Sequence, residues 1–545
     1  MKRGTRLLPW LLLAAAYLVT VGWFALNGAH NLDADMSSEM ILAQLQNQEG
    51  TLLTRNWYYS SELRVVSPVP LYQLGLLLFP QNWHAARTFG TALMLAGIIA
   101  AFLYFARRVK MGEMGVYMAA ILAMPFSSVY AYVGFFNGGY SVYLMLVFVL
   151  LGLILGMDRA RHKAGCLLVI ALLSLWGGAG GVRMMLFLAV PLAAAYAVEV
   201  FDALRRHERI AQAMEPALFW PLLGAAVAAV MTAAGYVINE KVLSRLFDYM
   251  RYDQMGLSMP ESGMFFAQLT GIAEFFGCRE TTQMFSARGI ASLLALCMMG
   301  VSLLVLAELL LRRREGRLSP CHSVLLLFTV FSVLLGVVIN ALTENYFARY
   351  FLPGLLMLVV MILVAWQNTQ CRSALLRRAV PLVLCAVFAL ESAIYLRQEQ
   401  SSGTAAYEEA AEWLVQNGFT QGYATFWNAA TLTEASSGAI EVYTMTDSYW
   451  EDDWKKLELN RFLQKKSHFS SVSDRRQRRG TQGSAQLDTS RVMDGKFFVL
   501  LSGRESAQKD VPYANEAHLV YTCAAGNIYA YESVDALYDT IEETP

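Results

Sequence analysis

The sequence predicts a polytopic α-helical membrane protein with a smaller extracytoplasmic α/β domain at its C-terminus, and three observations predict it. The chain of 545 residues is 56% hydrophobic and only 16% charged, more apolar than a soluble domain needs. Runs long enough to cross a bilayer recur from residue 7 to residue 396. After Tyr395 the composition becomes that of an ordinary soluble chain. The 43 basic and 43 acidic residues cancel, which leaves no global field of the kind that draws nucleic acid.

The apolar runs lie at 7–26, 85–106, 112–130, 139–157, 164–180, 184–201, 216–238, 289–311, 321–340, 351–367 and 379–396. The first imitates a secretory signal, with Lys2, Arg3 and Arg6 before it, but has no small-residue cleavage site after it; it reads as a retained first helix. Eleven crossings place the two termini on opposite sides of the membrane. Every second connection is basic: "RRVK" at 107–110, "DRARHK" at 158–163, "LRRHER" at 204–209, "RRREGR" at 312–317, then Arg372, Arg377 and Arg378. Because Lys and Arg near helix ends are retained in the cytoplasm, the N-terminus is expected inside and the C-terminus outside.

The membrane domain is thus expected over 1–396, with long outward loops at 27–84 and 239–288, and the extracytoplasmic domain over 397–545. Within the latter, "EEAAEWLVQNG" reads as an amphipathic helix ended by Gly418, and "YATFW", "KFFVLLSG" and "NIYAYES" read as strands. The basic, Ser/Gly/Gln-rich run 473–486 reads as a solvated loop. Seven cysteines are scattered without metal-ligand spacing. Of these, Cys278 and Cys523 fall on the outer side, where a disulfide between them is left open.

The first outward loop carries the chemistry. Its "LDADMSSEMILAQLQNQEG" puts Asp33 and Asp35 before residues Met36, Met40, Ile41, Ala43 and Leu45, which share one side of a helix that stops at Gly50 and lies on the membrane surface or caps the bundle. Glu39 is four residues beyond Asp35, over the same face. Two readings compete. Asp35 is an N-cap and Asp33 a turn residue; or a carboxylate at the rim of an apolar bundle acts as a general base, or holds a divalent cation with Asp33 and Asp35 as its ligands. Further on, Trp57, Tyr58 and Tyr59 form an aromatic cluster suited to an interfacial belt or to sugar stacking. A Pro-bearing segment, 65–79, follows, and Arg87 arrives at the outer end of the second span. Arg183 in "GGAGGVRMM" sits at another outer helix end.

This order of parts resembles the GT-C superfamily of integral membrane glycosyltransferases, particularly the branch of protein O-mannosyltransferases and aminoarabinose transferases. "DMSSEMILA" stands where that family has its acidic motif, and "TENYFARYFLPGLLML" is similar to the family's Arg-Tyr-Leu-x-Pro segment. The resemblance implies that Asp35 is the catalytic base with Asp33 beside it. Met36 replaces a frequent Glu, which leaves open which Asp acts. It also implies that Arg349, with Arg87 and Tyr346, meets the phosphate of a lipid-linked donor, with Glu344 close by. The function so implied is inverting transfer of a hexosyl or pentosyl group from a polyprenyl-phosphate sugar to an envelope acceptor on the outer face of the membrane. The alternative is a transporter or lipid flippase, which would place ionisable residues near the bilayer midplane.

Overall fold

A computed structural model of the chain describes residues 7–28, 32–60, 63, 65–136, 138–206, 215–249, 262–279, 283–342, 348–369, 374–397, 403–445, 458–468, 484–486, 496–506, 511, 514–533, 536–537 and 540. Its main helices are α1 (Leu8–Asn27), α2 (Ala34–Glu49), α3 (Val69–Leu78), α4 (Trp83–Arg108), α5 (Glu113–Leu122), α6 (Gly138–Leu155), α7 (Lys163–Ala179), α8 (Val190–Arg206), α9 (Pro216–Ile238), α10 (Ser262–Phe275), α11 (Ala287–Arg314), α12 (Pro320–Leu342), α13 (Leu352–Gln367), α14 (Ala374–Leu396), α15 (Gly403–Gln416) and α16 (Phe426–Ala435).

Among the described residues, nine helical stretches are long and apolar enough to cross a membrane. They fall on nine of the expected runs; the other two runs form the shorter α5 and α7, so a count of eleven rests on these two. Pro125 cuts the first of them, since proline cannot continue the helical hydrogen-bond ladder: α5 stops after Leu122, and a new turn starts at Ser127, whose Oγ accepts the Tyr130 N–H at 3.0 Å. The chain still runs the length of the bundle here. Arg108, at the end of α4, donates to the carbonyls of Gly152 (3.3 Å) and Gly156 (2.9 Å) at the end of α6. The segment between must therefore cross back. Likewise, Tyr143 near the start of α6 donates to the Gly180 carbonyl just past α7, at 2.6 Å.

Close packing in the bundle uses small residues, as expected where lipid removes the hydrophobic drive between helices. A Cβ on Gly178 would stand 2.1 Å from the Thr232 carbonyl oxygen, and one on Gly235 would stand 2.2 Å from that of Leu175, so α7 and α9 touch through their backbones.

The alternate connections separate to the two ends of the bundle. At one end, Arg159 donates to the Arg108 carbonyl (3.2 Å), Gln367 to that of Lys110 (2.7 Å), and Arg313 pairs with Glu199 (3.1 Å) and Asp202 (2.6 Å). The basic connections thus gather there.

At the opposite end the loops and the C-terminal part meet. Strands β1 (Trp57–Tyr59) and β2 (Asp248–Tyr249) come from the two long loops. The C-terminal part supplies β3 (Gln421–Thr425), β4 (Glu441–Met445), β5 (Glu458–Asn460), β6 (Gln464–Lys465), β7 (Ser484–Gln486), β8 (Phe497–Leu501), β9 (Leu519–Cys523) and β10 (Gly526–Tyr531). A small sheet of order β2-β1-β6 joins all three regions. The larger sheet has the order β7-β5-β4-β3-β8-β10-β9, with β3 parallel to both β4 and β8. Its β3-α16-β4 unit is an α/β crossover.

Helix α15 ends before Gly418 in the left-handed conformation at φ 77°. "YATFW" divides: Thr425 closes β3, and Phe426 opens α16. Of the run 473–486, only 484–486 is described, as β7; the rest lies outside the described residues. Cys278 and Cys523 are both free thiols.

Helix α2 stops at Gly50, in the left-handed conformation at φ 64°. It is not a surface helix with one buried face. Ser37, Ser38 and Glu39 are as buried as Met36, Met40 and Leu42, because α2 lies between α3 on one side and α16 on the other. One buried ion pair fastens this sandwich. Arg87 of α4 is 2% exposed and donates to Glu434 of α16 through Nε (2.6 Å) and Nη2 (2.9 Å); Nη2 also donates to the Met36 carbonyl at 2.8 Å. Its guanidinium lies 4.9 Å from the centre of the Tyr72 ring on α3.

Removing one partner of such a pair leaves a desolvated charge, so Glu434→Ala is expected to cost about 3–5 kcal/mol. The double change Arg87→Met/Glu434→Leu is expected to regain most of that loss. Thermal unfolding of the detergent-solubilised protein checks the order of the three midpoints.

Candidate active site

The acidic motif folds as a helix start, with the roles of its carboxylates exchanged relative to the capping expectation. Asp33, extended at φ −124° and ψ 175°, is the N-cap: its Oδ1 accepts the Met36 N–H at 2.9 Å. Helix α2 begins one residue before Asp35, so Asp35 stands at the second helical position and is not the N-cap. The other Asp33 oxygen, Oδ2, accepts the Tyr132 hydroxyl at 3.1 Å. Both Asp33 oxygens are therefore engaged, while both aspartates remain half-buried at the end of the bundle opposite the basic connections.

Tyr132 opens the stretch "YVGFFNGGY", 132–140, which ends on Tyr140 at the start of α6. Two arginines meet over that ring. The Arg183 guanidinium is 4.9 Å from the Tyr140 centroid and 5.9 Å from that of Tyr143; the Arg349 guanidinium is 5.7 Å from Tyr140 and 5.7 Å from Tyr350. Arg349 reaches this place because the turn Ala348–Phe351 opens α13, with Pro353 in the first turn, where proline is tolerated. Both guanidiniums are held on that ring by cation–π attraction. Two π-helical turns flank the cluster, Tyr132–Phe136 and Met185–Ala189; such turns are rare and frequent at functional sites.

Other sequence candidates lie elsewhere. Arg87 does not face a ligand: it is committed to Glu434, as described above. Glu39 is buried at 2% within electrostatic reach of Tyr72 and Arg87, so it belongs to that cluster. Trp57, Tyr58 and Tyr59 form neither a belt nor a stacking platform; they are 1%, 5% and 0% exposed in β1, the middle strand of the small sheet. Tyr346 and Glu344 lie outside the described residues. Glu391 is buried near the end of α14, 3.8 Å from Arg279.

Among the described residues no group of three or more His, Cys, Asp or Glu side chains is placed to hold a metal ion.

Sequence reasoning missed Tyr132, Tyr140 and Glu434. The first two bracket a Gly- and Phe-rich connection between spans, which was informative only as lacking charge. Nothing local marks Glu434, which is 347 residues from its partner.

No family model matches the sequence, and no curated protein matches it. Among solved structures, ArnT from Cupriavidus metallidurans bound to undecaprenyl phosphate aligns with TM-score 0.53 at 13% identity over 95% of this chain and 97% of that one. The same protein in the apo state gives 0.54 at 12% identity over the same shares. This is the GT-C fold. The likeness extends over nearly the whole length of both chains. The apo oligosaccharyltransferase of Archaeoglobus fulgidus aligns at TM-score 0.47 and 14% identity, over 98% of this chain and 75% of that one.

The exchanged roles of the two aspartates give a test. Asp33→Ala is expected to cost about 1 kcal/mol of stability, the usual worth of an N-cap, while Asp33→Asn, which keeps an accepting side-chain oxygen, is expected to cost only a fraction of that. Thermal unfolding of the two variants side by side distinguishes them.

Proposed function

We propose that this chain is a membrane glycosyltransferase that takes a sugar from a polyprenyl-phosphate donor and transfers it, with inversion, to a hydroxyl of an envelope acceptor on the outer face of the cell membrane. One observation carries the reading: the connection 132–140 bonds the acidic motif at its first residue and holds two arginines over its last. A base and an anion site on one short connection suit a reaction that deprotonates one oxygen and releases a phosphate.

Asp35 takes the acceptor proton as the hydroxyl oxygen attacks the anomeric carbon. The bond from that carbon to the phosphate oxygen breaks, and the lipid phosphate leaves with the electron pair. Asp33 is the positioning residue, holding the start of α2 through Met36 and fixing it to Tyr132. Arg349 and Arg183 bind the phosphate and stabilise the charge that grows on it during departure, the stage at which preorganised donors act most strongly.

A lipid donor fits the setting, because a polyprenyl chain stays in the bilayer and offers its phosphate at the interface. The fold-mate ArnT was crystallised with undecaprenyl phosphate, which supports the same donor class here. The gathering of the basic connections at one end supports a cytoplasmic N-terminus, with the active end and the C-terminal domain outside.

The test is turnover of a radiolabelled polyprenyl-phosphate sugar by purified protein. Asp35→Asn is expected to lower kcat by about 10²–10⁴-fold, the worth of a general base. Arg349→Gln and Arg183→Gln are each expected to lower kcat/KM by about 10²–10³-fold, in line with loss of a transition-state donor. Undiminished turnover in Asp35→Asn would remove the base, and undiminished turnover in both arginine variants would remove the phosphate site.

A further inference from the structure

Helix α10 belongs to the second long loop and is not one of the spans. Its 14 residues extend about 21 Å at the helical rise, short of a hydrocarbon core of about 30 Å. Yet the chain leaving it is anchored below the rim of the bundle. Ser292 Oγ of α11 accepts the Arg279 N–H at 2.9 Å and donates to the Arg279 carbonyl at 3.0 Å. A Cβ on Gly277 would stand 2.6 Å from Oε2 of Glu391 on α14. Ser292 lies five residues inside the start of α11, and Glu391 five residues inside the end of α14, about 7 Å from the helix end in each case. Both helices are spans, so the end of α10 is held within their apolar length.

The exposed side of α10 is apolar. Phe265, Phe266 and Leu269 are 61%, 70% and 42% exposed, with the two phenylalanine rings edge to face at 5.9 Å. Gly263, Ala267 and Thr270 complete the exposed arc, and no residue from Ser262 to Ala273 is charged. A helix that faces water puts charged and polar residues on its outer side, and adjoining exposed phenylalanines mark a surface with a partner. The helix packs against α11, α12 and the turn Ala348–Phe351. The same half of α12 exposes Leu334, Val338 and Leu342, as a span in hydrocarbon does, so α10 adjoins a surface that lipid covers.

We infer that α10 is immersed in the leaflet on the side of the aspartates, with Phe265, Phe266 and Leu269 among the acyl chains. This leaflet is the outer one in the orientation proposed above. A contact with a second copy of the chain would carry a polar rim, whereas this arc has no charged member and continues the lipid-facing side of α12. Immersion also sets the depth of the turn Ala348–Phe351, which α10 touches, and keeps Arg349 at the level of the lipid headgroups. The surface rests on the membrane fold and does not depend on the catalytic reading.

Photocrosslinking of the full chain tests this, in vesicles of phosphatidylethanolamine and phosphatidylglycerol with tritiated acyl chains. Phe266→p-benzoylphenylalanine is expected to take up lipid label as strongly as the same replacement at Leu304, a lipid-facing position 72% exposed on α11. It is expected to take up about tenfold more than the replacement at Val520, exposed on β9 of the C-terminal domain, because only a helix in the interface meets acyl chains. Size-exclusion profiles establish that the variants remain folded, and Phe265→p-benzoylphenylalanine serves where the first does not. Labelling at both phenylalanine positions no higher than at Val520 would overturn the immersion. A cross-linked product of twice the chain mass as the main adduct would overturn it too, by giving the face to a second copy.

Discussion

The structure depends on one guanidinium. Arg87 enters at the start of a membrane-spanning helix, yet it bonds a carboxylate of the C-terminal domain, a carbonyl of α2 and the face of a tyrosine on α3. Four elements from three stretches of chain converge on a side chain with 2% exposure. An isolated charge there would be expensive to desolvate. The bidentate geometry and the carbonyl contact offset that cost only when all partners are present, so the pair acts as a register mark: the domain docks in the one position that closes it. The neighbouring apolar contact, Trp83 against Gly438, supplies area but tolerates sliding.

That docking explains why α2 is buried on both sides. A helix whose sequence has only a weak apolar stripe would be poorly held on a membrane surface alone. Clasped between α3 and α16, it becomes a rigid platform, and the first residues of that platform are the two aspartates. The C-terminal domain therefore contributes to the proposed active site without supplying a residue to it: it fixes the helix on which Asp35 rides. The small β2-β1-β6 sheet repeats the device at a second place, tying the two long loops to the same domain through Trp57, Asp248 and Gln464.

The sequence disclosed what depends on local pattern. Apolar runs marked the helices because bilayer thickness imposes a length, and alternating Lys/Arg clusters sorted the connections because retention of positive charge acts on each loop separately. Gly50 and Gly418 marked helix ends because few other residues accept a left-handed conformation. Arg349 stood out through a motif and Arg183 through its position at a helix end, and the structure brings both to the Tyr140 ring. What stayed hidden depends on distant pairing. Trp57, Tyr58 and Tyr59 look like a belt until a strand from residues 464–465 covers them, and Arg87 looks like an interfacial arginine until Glu434 arrives. The cap was misassigned by two residues because Asp33 and Asp35 are equally good caps by type. The choice is made by the extended backbone at Asp33 and by the Tyr132 hydroxyl, neither of which local preference specifies.

On the proposed reading, the two aspartates divide two jobs that conflict. A carboxylate that caps a helix and accepts a phenol is held still by those bonds and is a poorer proton acceptor for the same reason, since each donor lowers its demand for another. A carboxylate that serves as base must stand in a fixed place beside the acceptor. On the proposed reading, placing them two residues apart in one helix start divides the work, with Asp33 fixing the helix to the 132–140 connection and Asp35 following from that fixed point. The same connection carries Tyr140, over which the two arginines sit. On that reading both parts of the site bear on one short connection, Tyr132 bonding Asp33 and Tyr140 lying under the two arginines, so that elements distant in sequence are referred to a common support, as a preorganised constellation requires.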